Sequence, residues 1–403
     1  MAEGPKQSSQ QERLHALDAV RGIALLLGIV LHATMSFLPG LAAAGWPIID
    51  VGASEPAGLI YYVIHIFRMA TFFLVAGFFA HLVFHRRGMK VFLKDRAKRI
   101  VLPLVGFWGP LFVAMTGAII WAVAKTGFEP PEQVTSPAGI PLAHLWFLYE
   151  LVWLYAMMLF FRGAIVRFDK TRKLRIFVDS QFARVANAPW VVIVLTPPVA
   201  ILLYVTPQWV AWEGVRTQEY LELPIWQSLL IYFYVFGLGW LLDRQRHLLA
   251  AIRRRWMTNL AIGCGATVGC LFIAGLKTEF LMPLDPALKP VYAGLYGLAL
   301  VALSFAFIGG GIVLFSGENP LVRYLADASY WIYLMHIPLV MVLQALFMDW
   351  ELHWLIKLPL IIVLTFIPLI FTYDWWVRAS WLGSILNGRR HSRGLPHRQS
   401  AEL

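Results

Sequence analysis

The sequence predicts an all-α integral membrane protein, a bundle of about ten transmembrane helices with both termini in the cytoplasm. Three observations predict it. Of 403 residues, 59% are hydrophobic and 14% charged, against a charged share of about 25% in soluble domains. Ten segments stay apolar over about the 20 residues a helical crossing needs: 17–38, 58–84, 101–124, 143–161, 189–206, 224–242, 258–276, 291–315, 321–347 and 353–376. Lysine and arginine, finally, fall in alternate connections, as the positive-inside rule requires of successive crossings.

Taken in chain order, residues 1–16 are a polar cytoplasmic segment. The first apolar run is too long for a signal peptide and has no small-residue cleavage site after it, so it is expected to stay in the mature protein. The connections after the second, fourth and sixth spans are basic: HRRGMKVFLKDRAKR (85–99), RGAIVRFDKTRKLRIFVDSQFAR (162–184) and DRQRHLLAAIRRRW (243–256). The tail NGRRHSRGLPHR is basic too. The odd-numbered connections carry only Lys125, Arg216, Lys277 and Lys289 beside several carboxylates, and are expected to face outside. The formal net charge of +11 is therefore a signal of topology, and no nucleic-acid partner is expected. Cys264 and Cys270, both in one apolar segment, are too few for a disulfide framework or a metal cluster. They are expected to be packing residues, and no metal site is expected. There is no soluble domain and no internal repeat. Disorder is expected only at the polar ends near 1–12 and 387–403. All chemistry must then be built from membrane helices, as in a transporter, a channel, an intramembrane enzyme or a sensor.

The ionisable residues inside the spans narrow that choice, because a charge at mid-membrane persists mainly where it is paired or used. In LDAVRGIALLLGIVLHATMS (17–36), Arg21 and His32 are eleven positions apart. On a helix they return to within about 20° of one another, about 16 Å apart along one face. Asp18, three residues before Arg21, shares that face and is within pairing reach. Arg68 lies about ten residues from either end of the second span, too deep to reach water comfortably. It needs an anionic partner: Asp18, Glu150, or the phosphate or carboxylate of a substrate. His65 sits one turn from it. The fourth span opens HLWFLYELVW, with His144 and Trp146 at the outer edge and Glu150 one turn further in. In RYLADASYWIYLMHIPLVM, His336 reaches a depth close to that of His32, Tyr333 shares its face, and Pro338 is expected to free a backbone carbonyl there. Two histidines at matched depth beside a deep arginine can polarise a hydroxyl for attack on an acyl carbon, or relay protons. Arg96 and Arg99, in KDRAKRIVLP, stand at the cytoplasmic start of the third span, where clustered guanidinium groups suit phosphate.

Five elements, LDAVRGIALLLGIVLH, FRMATFFLVAGFF, RAKRIVLP, HLWFL and SYWIYLMHIPL, resemble in order those of the acyltransferase-3 family of membrane acyltransferases. Members carry acyl groups from cytosolic acyl-CoA to extracytoplasmic glycans, lipids or small molecules. FRM and HLWFLYELV look most like the type that succinylates periplasmic glucans in bacteria. The resemblance implies His32 as catalytic base, with Arg21, Arg96 and Arg99 toward the acyl-CoA. It also implies a location in the bacterial inner membrane. One departure is Ala76, which stands before Gly77 where many members have serine. No serine or cysteine nucleophile stands out, so direct transfer is preferred to a covalent acyl-enzyme.

The reading that results is a membrane O-acyltransferase occupying 17–378, with a basic cytoplasmic tail over 379–403. It would move a succinyl or other short acyl group from acyl-CoA, a co-substrate and not a tightly bound cofactor, to hydroxyls of a periplasmic glucan. Asp18, Arg21, His32 and His336 are the expected catalytic set. Arg68, His144, Trp146, Glu150 and Tyr333 are expected to bind substrate. The competing reading is an exporter of a glycan or organic acid whose intramembrane His, Arg and Glu residues couple protons. A homo-oligomer, or association with glucan-synthesis partners, is left open.

Overall fold

A computed structural model describes residues 5–129, 139–317, 319–388 and 390–392, with side chains from Leu14 onward. Ten longer helices carry the architecture: α1 (Pro5–Thr34), α2 (Glu55–Arg96), α3 (Leu102–Thr126), α4 (Trp146–Phe168), α5 (Lys173–Asn187), α6 (Trp226–Arg244), α7 (Trp256–Ala274), α8 (Lys289–Leu314), α9 (Pro320–Phe347) and α10 (Trp354–Thr372). Among the described residues the only β feature is a single antiparallel bridge between Pro141 and Tyr220.

Among the described residues, seven helical stretches are long and apolar enough to cross a membrane: Leu14–Phe37, Glu55–Thr126, Ala143–Phe168, Trp256–Ala274, Lys289–Leu314, Pro320–Phe347 and Trp354–Val377. The expected second and third spans share one of them. Gly88, at φ 75° and ψ 170°, turns the chain within it, and Ala97–Val101 adds a π-helical turn before α3. The expected fifth span is the shorter apolar stretch Val191–Tyr204, divided into Val191–Leu195 and Pro197–Tyr204. Pro197 and Pro198 lack the amide hydrogens that a continuous helix would use there. The expected sixth is α6, whose Gln227, Ser228, Asp243 and Arg244 dilute its hydropathy. At the polar ends, expected to be disordered, α1 already begins at Pro5. The short helix Trp381–Leu386 buries Ile385 and Leu386. Residues 1–4, 389 and 393–403 lie outside the described set.

The centre of the bundle is α1, packed against α2, α8 and α9. Helices in lipid associate through close van der Waals contact, which small residues permit. At the α2–α6 crossing two glycines do this reciprocally. A Cβ on Gly77 would lie 2.0 Å from the Phe236 carbonyl oxygen, and one on Gly239 1.8 Å from that of Leu74. On the outside of the bundle, Val105 and Val113 of α3 are each 71% exposed, as lipid-facing side chains would be.

The connection between α1 and α2 folds back over the helices. Ile48 is buried against Ile337, Met341 and Met348, with Trp46 alongside. Asp50 fixes it, accepting from Lys357 Nζ of α10 at 2.5 Å and from the Gly52 amide at 2.7 Å. The same ammonium donates to the Trp350 carbonyl. Both charged side chains are excluded from solvent, at 2% and 0% exposure. Breaking such a fully buried, hydrogen-bonded pair destabilises by about 3–5 kcal/mol.

Candidate active site

A cavity of about 300 Å³ opens beside the C-terminal half of α1. Leu31 and His32 line it from α1 and Met35 from the turn that follows, with His65 and Arg68 from α2. His144 and Trp146 at the start of α4, Tyr232 of α6 and Gln344 of α9 complete the polar and aromatic wall. Trp46 and Thr217, in connections expected to face outside, sit at its rim.

Three imidazoles run in a row, with ring centroids 5.3 Å apart for His32 and His336 and 5.6 Å apart for His336 and His144. Their partners assign the neutral tautomers. His32 Nδ1 lies 3.3 Å from Met35 Sδ. A thioether accepts but cannot donate, so Nδ1 holds the proton and Nε2 the lone pair. His336 Nδ1 donates to the Tyr333 carbonyl at 2.5 Å, and its buried Nε2 has no partner. His144 Nε2 donates to the Leu334 carbonyl at 2.9 Å, leaving a buried, unpartnered Nδ1. That carbonyl is free because Pro338, four residues on, has no amide hydrogen to offer it. The carbonyl expected from sequence is thus the one that holds His144. Tyr333 supports the same residue, its hydroxyl donating to the His144 carbonyl.

Arg68 is 5% exposed, and its buried Nε has no hydrogen-bond partner. Neither protein carboxylate considered as its partner takes that place. Asp18 Oδ1 pairs with Arg21 at 2.9 Å. Glu150 is buried, with an unpartnered Oε1, and stands within electrostatic reach of Tyr232 instead. Among the described residues no ion pair neutralises Arg68. Its guanidinium fits because α1 has glycine opposite: a Cβ on Gly28 would lie 2.5 Å from Arg68 Nη1.

The structure therefore brings His32, Arg68, His144 and Trp146 to one cavity and sets His336 and Tyr333 directly behind its wall. Asp18, Arg21, Arg96 and Arg99 lie outside it, toward the basic face. Arg96 is occupied by the protein, with Nη2 2.5 Å from Asp95 Oδ2, Nη1 3.2 Å from the Tyr155 hydroxyl, and the Phe92 ring 5.5 Å away. Arg99 pairs with Asp95 through Nε at 2.9 Å and lies within electrostatic reach of Arg21 and Arg87. Gly388 passes so close that a Cβ there would meet Arg99 Nη2 at 1.6 Å. Sequence reasoning did not select Gly28, Met35, Tyr232 or Gln344, nor Tyr61, which also lines the cavity. Gly28 had a signal, a helix-interior glycine one turn before His32. Gln344, whose amide donates to the His32 carbonyl at 2.8 Å, had none.

The profile of the acyltransferase domain family matches residues 14–374, nearly the whole chain. The chain belongs to the acyltransferase-3 family. Glucans biosynthesis protein C of Escherichia coli strain SMS-3-5 is 26% identical over 347 residues, covering 82% of this chain and 83% of the relative. The protein of the same name from strain K12 is 25% identical over 344 residues, with the same shares covered. No solved structure matches the chain. The protein is thus a multi-pass membrane acyltransferase, and the acyltransferase-3 match spans every residue of the cavity wall.

Proposed function

We propose that the protein transfers a succinyl or other short acyl group from cytosolic acyl-CoA to a hydroxyl of an extracytoplasmic glucan, with His32 as general base. The acceptor's class rests on the distant relatives named for glucan biosynthesis. The chemistry rests on one observation: His32, its Nδ1 turned to the Met35 sulfur, lines a cavity whose wall also holds Arg68, a guanidinium without an ion pair among the described residues.

In this reading the acceptor hydroxyl donates to His32 Nε2, and its oxygen attacks the thioester carbonyl carbon. The C–O bond forms, the C–S bond breaks, and the proton held by His32 passes to the departing thiolate. Arg68 meets negative charge, either on the carbonyl oxygen as it develops or on the second carboxylate of a dicarboxylic acyl group. The second role is the reason to favour succinyl. Arg21 and Arg99, less engaged than Arg96, would receive the donor's phosphates at the basic face. The location is the bacterial inner membrane, with about ten spans over 17–378, both termini inside and a basic cytoplasmic tail over 379–403.

Purified protein in detergent, where no gradient exists to drive transport, is expected to consume succinyl-CoA when given a glucan acceptor. Both succinyl-CoA and acetyl-CoA left intact after prolonged incubation with acceptor would overturn the reading.

A further inference from the structure

A second cavity, of about 330 Å³, lies on the basic face, away from the histidine row. His81, Leu82, His85 and Arg86 at the end of the first part of α2 line it, with Asp243 and Arg244 at the end of α6 and Arg246 just beyond it. Its one carboxylate is already engaged on both oxygens, by His81 Nδ1 at 2.6 Å and by Arg246 Nε at 2.6 Å. Asp179 holds Arg244 from the rim. Among the described residues, two cations remain without an ion pair. Arg86 is exposed in the wall, and Arg162 stands beside it with its guanidinium 4.3 Å from the Phe84 ring and within electrostatic reach of His85.

The two helix ends account for part of this charge, since each C-terminus carries about half a negative charge. Three wall arginines and a fourth beside them exceed that, and Arg244 and Arg246 keep further N–H donors beyond those spent on Asp179 and Asp243. A divalent cation is disfavoured for the same reason. His81 and His85, stacked with centroids 3.9 Å apart, would have to bind it among four guanidinium groups.

We infer that this cavity binds a phosphate group, with Arg86 and Arg162 as its free charges and Arg244 and Arg246 as anchored donors. Planar guanidinium groups around one space match phosphate oxygens in pairs. Two sources of such a group reach the basic face: the 3′-phosphate of CoA and the headgroup of an anionic phospholipid. The CoA source rests on the acyl-donor reading above, and the phosphate site itself does not.

The test is binding of inorganic pyrophosphate to the full chain in detergent, for wild type and Arg86→Gln/Arg162→Gln. Both residues lie outside the proposed catalytic machinery. Wild type is expected to bind, and the double variant to bind about tenfold or more weakly, the scale of losing hydrogen bonds to a charged group. Preference for CoA over dephospho-CoA, lost in the variant, assigns the site to the donor. Retention of phosphatidylglycerol over phosphatidylcholine in native mass spectra, lost in the variant, assigns it to lipid. Equal pyrophosphate affinity in both proteins, or tighter binding of Zn²⁺ than of pyrophosphate, would overturn the proposal. Succinyl-CoA consumption by wild type, measured alongside, separates its failure from failure of the transferase reading.

Discussion

At the scale of single residues, the site depends on where three ring protons go. A sulfur and two carbonyls take them, which leaves the other ring nitrogen of His32, His144 and His336 as a lone pair. His32 and His144 line the cavity, whereas His336 is fully buried behind it. The expected outcome of His32→Gln is a folded protein that binds acyl-CoA but transfers about 10²-fold or more slowly, the usual loss for a general base. Initial rates and donor affinity measured on the same preparation check this. Full transfer by the variant would move the base to His144 or His65, the other imidazoles that line the cavity. Sequence made His32, Arg68 and His144 legible because ionisable groups inside apolar helices are conspicuous. It left Met35 and Gln344 illegible, since a thioether or an amide in such a helix looks like packing until the neighbouring helix is in place.

At the scale of elements, proline and glycine do the positioning. Pro338 withholds an amide hydrogen, so that the Leu334 carbonyl can hold His144. Pro338→Ala restores that hydrogen as a competitor for the carbonyl. The expected result is equal or higher thermal stability with reduced transfer, read by a melting scan and an activity assay together. Gly239→Ala is expected to do the reverse. Its Cβ would collide with the Leu74 carbonyl, force α2 and α6 apart, and cost about 1–3 kcal/mol, visible as a lower melting temperature in detergent. Most spans could be read from hydropathy alone. The broken Val191–Tyr204 and the diluted α6 were placed as full crossings because their polar breaks are local, while a twenty-residue average is not. The continuity of α2 with α3 was hidden for a related reason: the charged run 85–99 reads as a loop, yet it is helical on both sides of Gly88.

At the scale of the whole molecule, Lys and Arg asymmetry is expected to set the orientation. Residues 85–99, 162–184 and 243–256 and both termini should be labelled only from the cytoplasm, and 41–57, 125–142 and 207–223 only from outside. Cysteine labelling in intact cells checks this, and outside labelling of a cysteine placed near Lys94 would reverse it. The excess of positive charge belongs to the connections expected to be cytoplasmic. Arg68 is the exception, a cation buried beside the imidazoles with no carboxylate of its own. That isolation has a consequence for chemoselectivity. An amine is a stronger nucleophile than an alcohol, but near neutral pH it arrives as ammonium. Two unit charges about 4 Å apart repel by about 4 kcal/mol at an effective dielectric of about 20. An amino sugar should therefore be a poor acceptor beside its hydroxyl counterpart, and competition between the two should yield ester over amide. The guanidinium that draws an anion in would, by the same field, keep the more reactive nucleophile out.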